Sequence, residues 1–243
     1  MLKVNLIRRL VLAFVLTIAF GVGHTASADP ILPGFDLFAT QPGTFANVQG
    51  IGFVLFMGGQ PLIPGTNTDT IVERLQGIDP FPLGGMGTIP IVLRGLSLQS
   101  VAPVNFNGIL FDVVATAAAN QTLGSMTIIH STVDGGTFTS TLPINAVLTF
   151  TEVGGGMSFT ADFSTILVSA CVWSHTPPPN YPELPDFPSG RFFARGPCVE
   201  TSATGNEVHV VSPAEVPEPA TLLLLVSGLA GLAGVGKKKI SKK

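Results

Sequence analysis

The sequence predicts an all-β protein built as one antiparallel β-sandwich or jelly-roll-like domain. Three observations carry that expectation. Runs rich in Val, Ile, Thr and Phe recur along the middle of the chain, Gly and Pro punctuate them, and several runs alternate apolar with polar residues. β-branched and aromatic side chains suit a pleated surface. Alternation with period two buries one face of an antiparallel strand and leaves the other in water.

In chain order, Val48 to Met57, Thr70 to Gln76 and Ile91 to Gln99 are strand candidates. Ile109, Phe111 and Val113 stand opposite Leu110, Asp112 and Val114. The alanine-rich stretch Val113 to Asn120 also fits a short helix. Ser125 to His130 reads as a strand, and Asp134-Gly135-Gly136 after it as a turn. Leu148 and Phe150 alternate with Thr149 and Thr151. Met157, Phe159, Ala161 and Phe163 alternate with Ser158, Thr160 and Asp162, and Gly154-Gly155-Gly156 between the two runs reads as a hairpin loop. Ile166 to Val172 follows. Val208 and Val210 alternate with Glu207 and His209, which puts His209 on the solvent side, whereas His130 shares the parity of Met126 and Ile128 at the edge of the core. About nine short strands with turn-bounded spacing suit a sandwich. No 20–50-residue repeat suggests a solenoid, and the prolines and glycine interruptions argue against an outer-membrane barrel.

The two ends of the chain differ from this body. Lys3, Arg8 and Arg9 precede an apolar core from Leu10 to Phe20, and Ala26-Ser27-Ala28 has the small-residue pattern of a cleavage site. Residues 1–28 are therefore expected to be a signal peptide handled by the Sec machinery and signal peptidase, cut between Ala28 and Asp29. The body is expected to span 29–215. Residues 216–243 begin Val216-Pro217-Glu218-Pro219, continue as an uncharged run from Leu222 to Val235, and end with Lys237, Lys238, Lys239, Lys242 and Lys243. As a helix, Thr221 to Gly236 is about 24 Å long. That is short against a hydrocarbon core of about 30 Å, so insertion needs local thinning or snorkelling lysines. The lysines belong on the cytoplasmic side, which places the body outside the inner membrane.

Pro217-Glu218-Pro219, the apolar helix and the lysine cluster, in that order, resemble the PEP-CTERM sorting signal of Gram-negative bacteria. The resemblance implies recognition and cleavage by exosortase, a membrane-embedded cysteine protease, and an association with exopolysaccharide production. It implies an inner-membrane-anchored precursor and then a product at the cell surface or in the extracellular matrix. The elements Asp69 to Arg74, Ile91 to Ser100, Phe111-Asp112-Val113 and Gly136-Thr137-Phe138 resemble a body that recurs in proteins with this tail, to which no activity attaches.

Between Asp29 and Val216 the chain has no lysine, and its four arginines face fourteen carboxylates, a formal charge of −10. This argues against nucleic acid and anionic lipid as partners, since both are bound through cationic side chains. Cys171 and Cys198 are expected to form a disulfide in an oxidising compartment. The 171–198 segment they close carries seven prolines together with Trp173, Tyr181, Phe187, Phe192 and Phe193. It is expected to be an irregular surface excursion, because proline lacks an amide donor and fixes φ.

Catalytic patterns are broken. Gly156-Met157-Ser158-Phe159-Thr160 lacks the last glycine of a serine nucleophile elbow and lies in an alternating strand. No lysine is available for a phosphate loop. Cys171 with His175 competes with the disulfide. His175 with Asp186 lacks a second histidine, and Asn67 with Asp69 falls short of a calcium loop. Glu152 and Asp162 are a carboxylate pair to test across the hairpin. The expectation is a protein that is not an enzyme, without cofactor or metal, in a structural or adhesive role. The alternative is a glycan-binding module using Trp173, Tyr181 and Phe187; the third reading is a secreted hydrolase.

Overall fold

The computed structural model describes residues 29–79 and 83–217. The expected signal peptide with Ala28, the motif residues Glu218 and Pro219, the apolar run and the lysines lie outside the described residues. Within them there are thirteen strands and no helix. In chain order these are β1 (Gly34–Thr40), β2 (Thr44–Val48), β3 (Gly52–Gly58), β4 (Thr70–Arg74), β5 (Met86–Ser100), β6 (Val104–Phe106) and β7 (Ile109–Ala117). Then follow β8 (Gly124–Thr132), β9 (Gly135–Glu152), β10 (Ser158–Ser174), β11 (Phe193–Arg195), β12 (Cys198–Ser202) and β13 (Glu207–Pro213).

Every pairing is antiparallel, as the alternation predicts. Hydrogen bonding links all the strands into one sheet that closes on itself. β1, β4, β5, β8, β9, β10, β12 and β13 pair in that cyclic order, and β13 returns to β1. The pairing is continuous round this ring, so no gap in it separates two facing sheets. β2 and β3 bridge β13 to the end of β5, while β7 lies between the far halves of β5 and β9. β9 and β10 form the long axis, paired from Thr151↔Ser158 to Gly135↔Ser174. Their turn uses Gly154 and Gly155 at φ 94° and 85°, a region side-chain-bearing residues avoid.

Two local expectations are corrected. Val113 to Asn120 contains no helix: Phe111 to Ala117 pair with Glu152 to Ala146 of β9, and that ladder outweighs the helix preference of alanine. Val48 to Met57 is not one strand, because Gly50 and Gly52 both take positive φ and turn β2 back on β3.

The inward residues of β7, β9 and β10 fill the far half of the ring. Phe150 and Phe159 face each other by register and stack at 4.6 Å, with Phe111 edge-on to both. Cross-strand aromatic pairs of this kind add to the area they bury. Near the other end, Cys171 and Cys198 continue the β10–β12 register beyond Ser169↔Glu200, with Cα atoms 5.6 Å apart and a disulfide joining them, as expected.

At that same end the core contains a charge. Arg74 is fully buried, and its Nε lies 3.2 Å from both carboxylate oxygens of Asp36, itself buried. Nη1 donates to the Leu32 carbonyl at 2.7 Å, Nη2 donates to the Ser189 carbonyl, and the guanidinium lies 4.7 Å over the Phe192 ring. Burial pushes the Asp36 carboxyl up to about 6, and the Arg74 guanidinium pulls it down against that. Arg74 thus ties β1, the N-terminal segment and the proline-rich excursion to β4. The excursion is not wholly at the surface: Phe192 is fully buried, stacks on Trp173 and meets Phe138 edge-on, and β11 pairs with the end of β10.

Arg74→Met should lose about 3–5 kcal/mol in urea unfolding, because it strands the Asp36 carboxylate. Arg74→Met with Asp36→Leu should lose less than Arg74→Met alone; a double variant as weak as the sum of the singles would refute the pairing account. Cys171→Ala with Cys198→Ala should lower stability by about 3.5 kcal/mol, the loop-entropy value for a closed segment of this length, read as a fall in the thermal midpoint relative to the oxidised parent.

Candidate functional site

Three places in the described body gather unusual side chains, and a fourth is where the chain leaves it. The first is a hydrogen-bonded row across the sheet interior. Glu200 on β12 lies 3.1 Å from His209 Nδ1, and His209 Nε2 lies 3.1 Å from Thr40 Oγ1 on β1. Thr40 Oγ1 donates to Asp69 at 2.8 Å, and Asp69 also accepts from the Thr40 amide and the Thr70 hydroxyl. Burial raises the Asp69 carboxyl, against these donors and the nearby His209 imidazole. His209 is 4 % exposed, not solvated as expected. Along β13 the inward positions are His209, Val211 and Pro213, so the valines at 208 and 210 point outward. An acid, an imidazole and a hydroxyl in a row have the components of nucleophile activation. Here, however, the hydroxyl proton is directed at Asp69, and the adjoining void holds only about 50 Å³ between mostly apolar walls such as Phe56, Leu98 and Leu148. The row ties β1, β12, β13 and the approach to β4 together.

The second place is the proline-rich excursion. The three aromatic residues expected to contact a glycan do not share one surface. Trp173 is 2 % exposed, stacked on Phe192 and packed against His130, with Nε1 donating to the Ile129 carbonyl. It continues the inward parity of Leu167, Ser169 and Cys171, so it is a core residue and not a surface contact. Tyr181 and Phe187 are half-buried and line an open hollow of about 520 Å³ with Leu32, Leu184 and Pro185, rimmed by Glu183 and Arg191. The Tyr181 hydroxyl accepts the Leu37 amide at 3.3 Å, and burial pushes its phenol up. Phe187 lies edge-on to Phe35. Asp29, the expected first mature residue, pairs with Arg191 at this rim.

The third place is the outer face of the sheet. By register, Leu55, Phe45, Val208, Thr201 and Val168 stand side by side across β3, β2, β13, β12 and β10. Phe53, Leu55 and Met57 are 65 %, 57 % and 45 % exposed, and Ile166, Val168, Val172 and Val199 are exposed as well. This apolar band was not visible in the sequence, because it depends on which strands become neighbours.

The remaining candidates separate. Glu152 accepts the Met157 amide at the hairpin, while Asp162 pairs with Val147 farther along the ladder, so they do not form a site. His175 Nδ1 lies 2.7 Å from the Arg191 carbonyl, and Asp186 is exposed. Among the described residues no three of His, Cys, Asp and Glu gather to hold a metal ion. No described helix is long and apolar enough to cross a membrane.

The fourth place is the exit of the chain. Ala214 is fully buried and donates its amide to Leu37. The Asn67 amide donates to the Glu215 carbonyl, and the Glu215 amide donates to Asn67 Oδ1 at 2.6 Å. The Val216 amide donates to the Asn180 carbonyl at 2.9 Å. Two loops, 59–68 and 177–190, therefore clasp the chain up to the residue before Pro217. Neither a curated protein nor a solved structure matches the sequence. Residues 215–239, which start within this clasp, do match a family model, that of the PEP-CTERM protein-sorting motif, so the chain carries a PEP-CTERM sorting signal at its C-terminal end.

Proposed function

We propose that this is an exported, non-catalytic protein delivered by its C-terminal signal to the cell surface or exopolysaccharide matrix of a Gram-negative bacterium, where its all-β body has a structural or adhesive role. The PEP-CTERM motif at 215–239 is the observation that carries the reading, since such a motif marks an exported protein processed by exosortase. The Cys171–Cys198 disulfide is in keeping with an oxidising compartment. The apolar band on β3, β2, β13, β12 and β10 supports an adhesive role, because exposed apolar faces of that breadth mark contact surfaces.

A second reading is favoured by the hollow beside Tyr181 and Phe187: a glycan-binding module in which these two rings, without Trp173, stack on apolar sugar faces.

Mass spectrometry of the native protein should find Asp29 as first residue and no peptide from Lys237 to Lys243. A mature product with an intact C-terminus would refute processing. For the second reading, Tyr181→Ala with Phe187→Ala should abolish pull-down by the producer's own exopolysaccharide while circular dichroism stays that of a β protein; retention of binding by the folded double variant would sink it.

A further inference from the structure

We infer that, before processing, the clasp end of the body lies against the lipid surface and the Val153–Met157 hairpin points away from it. The inference rests on the reading of residues 222–235 as a membrane anchor in the precursor. Its geometry comes from where the folded body stops.

The clasp holds the chain through Val216, and the uncharged run begins at Leu222. Only Pro217, Glu218, Pro219, Ala220 and Thr221 lie between. Fully extended, five residues reach at most about 17 Å. The headgroup layer on each side of the hydrocarbon is itself roughly 5–8 Å thick. A body tied at Val216 therefore stays within about a dozen ångströms of the headgroups, and the face nearest them is the one from which the chain emerges.

The topology states which face that is. β10 and β13 are both antiparallel to β12, so they run the same way, and the chain leaves β13 at the end where β10 gives way to the proline-rich excursion. The β9–β10 hairpin lies at the opposite end of a 17-residue strand, on the order of 50 Å away along it. The body is thus held by one end of its long axis.

One of the two loops at that end suits the position. Loop 59–68 reads Gly-Gln-Pro-Leu-Ile-Pro-Gly-Thr-Asn-Thr and carries no charge; Pro61, Leu62 and Pro64 are exposed, and Leu32 is exposed nearby at the hollow. The other loop of the clasp, 177–190, carries exposed Glu183 and Asp186, and Glu215 is exposed beside it, so anionic lipid repels that side and the uncharged loop 59–68 is the part of the clasp end turned to the headgroups. Acids lie at both ends, Asp112, Glu152 and Asp162 towards the hairpin and Glu183, Asp186 and Glu215 at the clasp, so charge alone does not choose the end and the short connection to the anchor does.

The test uses the full chain with its tail, reconstituted in phosphatidylethanolamine–phosphatidylglycerol vesicles, with a fluorophore on a single added surface cysteine and a contact quencher attached to lipid headgroups. Pro64→Cys should be strongly quenched and Val153→Cys not. Inserting twenty Gly/Ser residues after Pro217, which adds about 25 Å of mean reach, should reduce quenching at position 64. Chain that floats with the vesicles but shows no quenching at 64, or equal quenching at 64 and 153, overturns the orientation and leaves the anchor reading standing. Chain that does not float with the vesicles overturns both.

Discussion

A guanidinium buried out of reach of water constrains much of this body. Arg74 cannot shed its charge, and no solvent is present to meet its donors. Asp36 from the neighbouring strand, the carbonyl of Leu32 and the carbonyl of Ser189 meet them instead, and the Phe192 ring covers the remaining face. Two of those contacts are backbone carbonyls of segments outside regular strands. The ion pair thereby sets the path of irregular chain that has no ladder of its own. The excursion held at Ser189 also supplies Asn180, which clasps Val216, and Phe192, which caps the Trp173 end of the core. The end of the fold and the start of the sorting signal are therefore coupled through one charged side chain.

The rest of the interior combines two kinds of adhesion. The far half is apolar and aromatic, with Phe111, Phe150 and Phe159 in mutual contact. The near half is threaded by polar rows, Glu200–His209–Thr40–Asp69 and the Ser140–Ser169 hydroxyl pair. Apolar packing tolerates sliding, whereas hydrogen-bonded rows do not, because each displaced member would leave a buried polar group unmet. Such rows specify register in strands that are otherwise alike in Val and Thr content. The half of the body nearest the sorting signal is thus the half with the more sharply specified geometry.

How much of this could be read from the sequence depended on the range of the interactions. The hairpin at Gly154–Gly156, the alternation of β7 and β10, the turn after β8 and the disulfide were legible, because each is a local pattern or one pair of unique residues. The tail was legible as a linear signal. Val208 and Val210 flank His209 and, by alternation alone, turn it outward, whereas it is buried. It points inward only because Glu200, nine residues earlier, and Thr40, 169 residues earlier, give it partners there. Trp173 was assigned to the surface by its proline-rich surroundings, although the parity it shares with Cys171 already placed it inside. The partners of Arg74 lie 38, 42 and 115 residues away, which no window along the chain contains. The apolar band is likewise a product of strand order.

The absence of lysine from the body acquires a chemical meaning once its arginines are located. A product cut after Ala28 and ahead of Lys237 has no ε-amine, so its α-amino group is the sole aliphatic amine open to acylation, carbonyl adducts or amine-directed cross-linking. Trypsin-like proteases are left with four arginines. Arg74 is sealed in the core, while Arg94 and Arg191 pair with Glu73 and Asp29 at the surface with about half of each arginine side chain exposed. Arg195 lies in β11 and donates to Ser174 and Thr176. Such a product offers few basic side chains to enzymes and reagents that recognise them, and that scarcity comes from composition, with burial removing only Arg74.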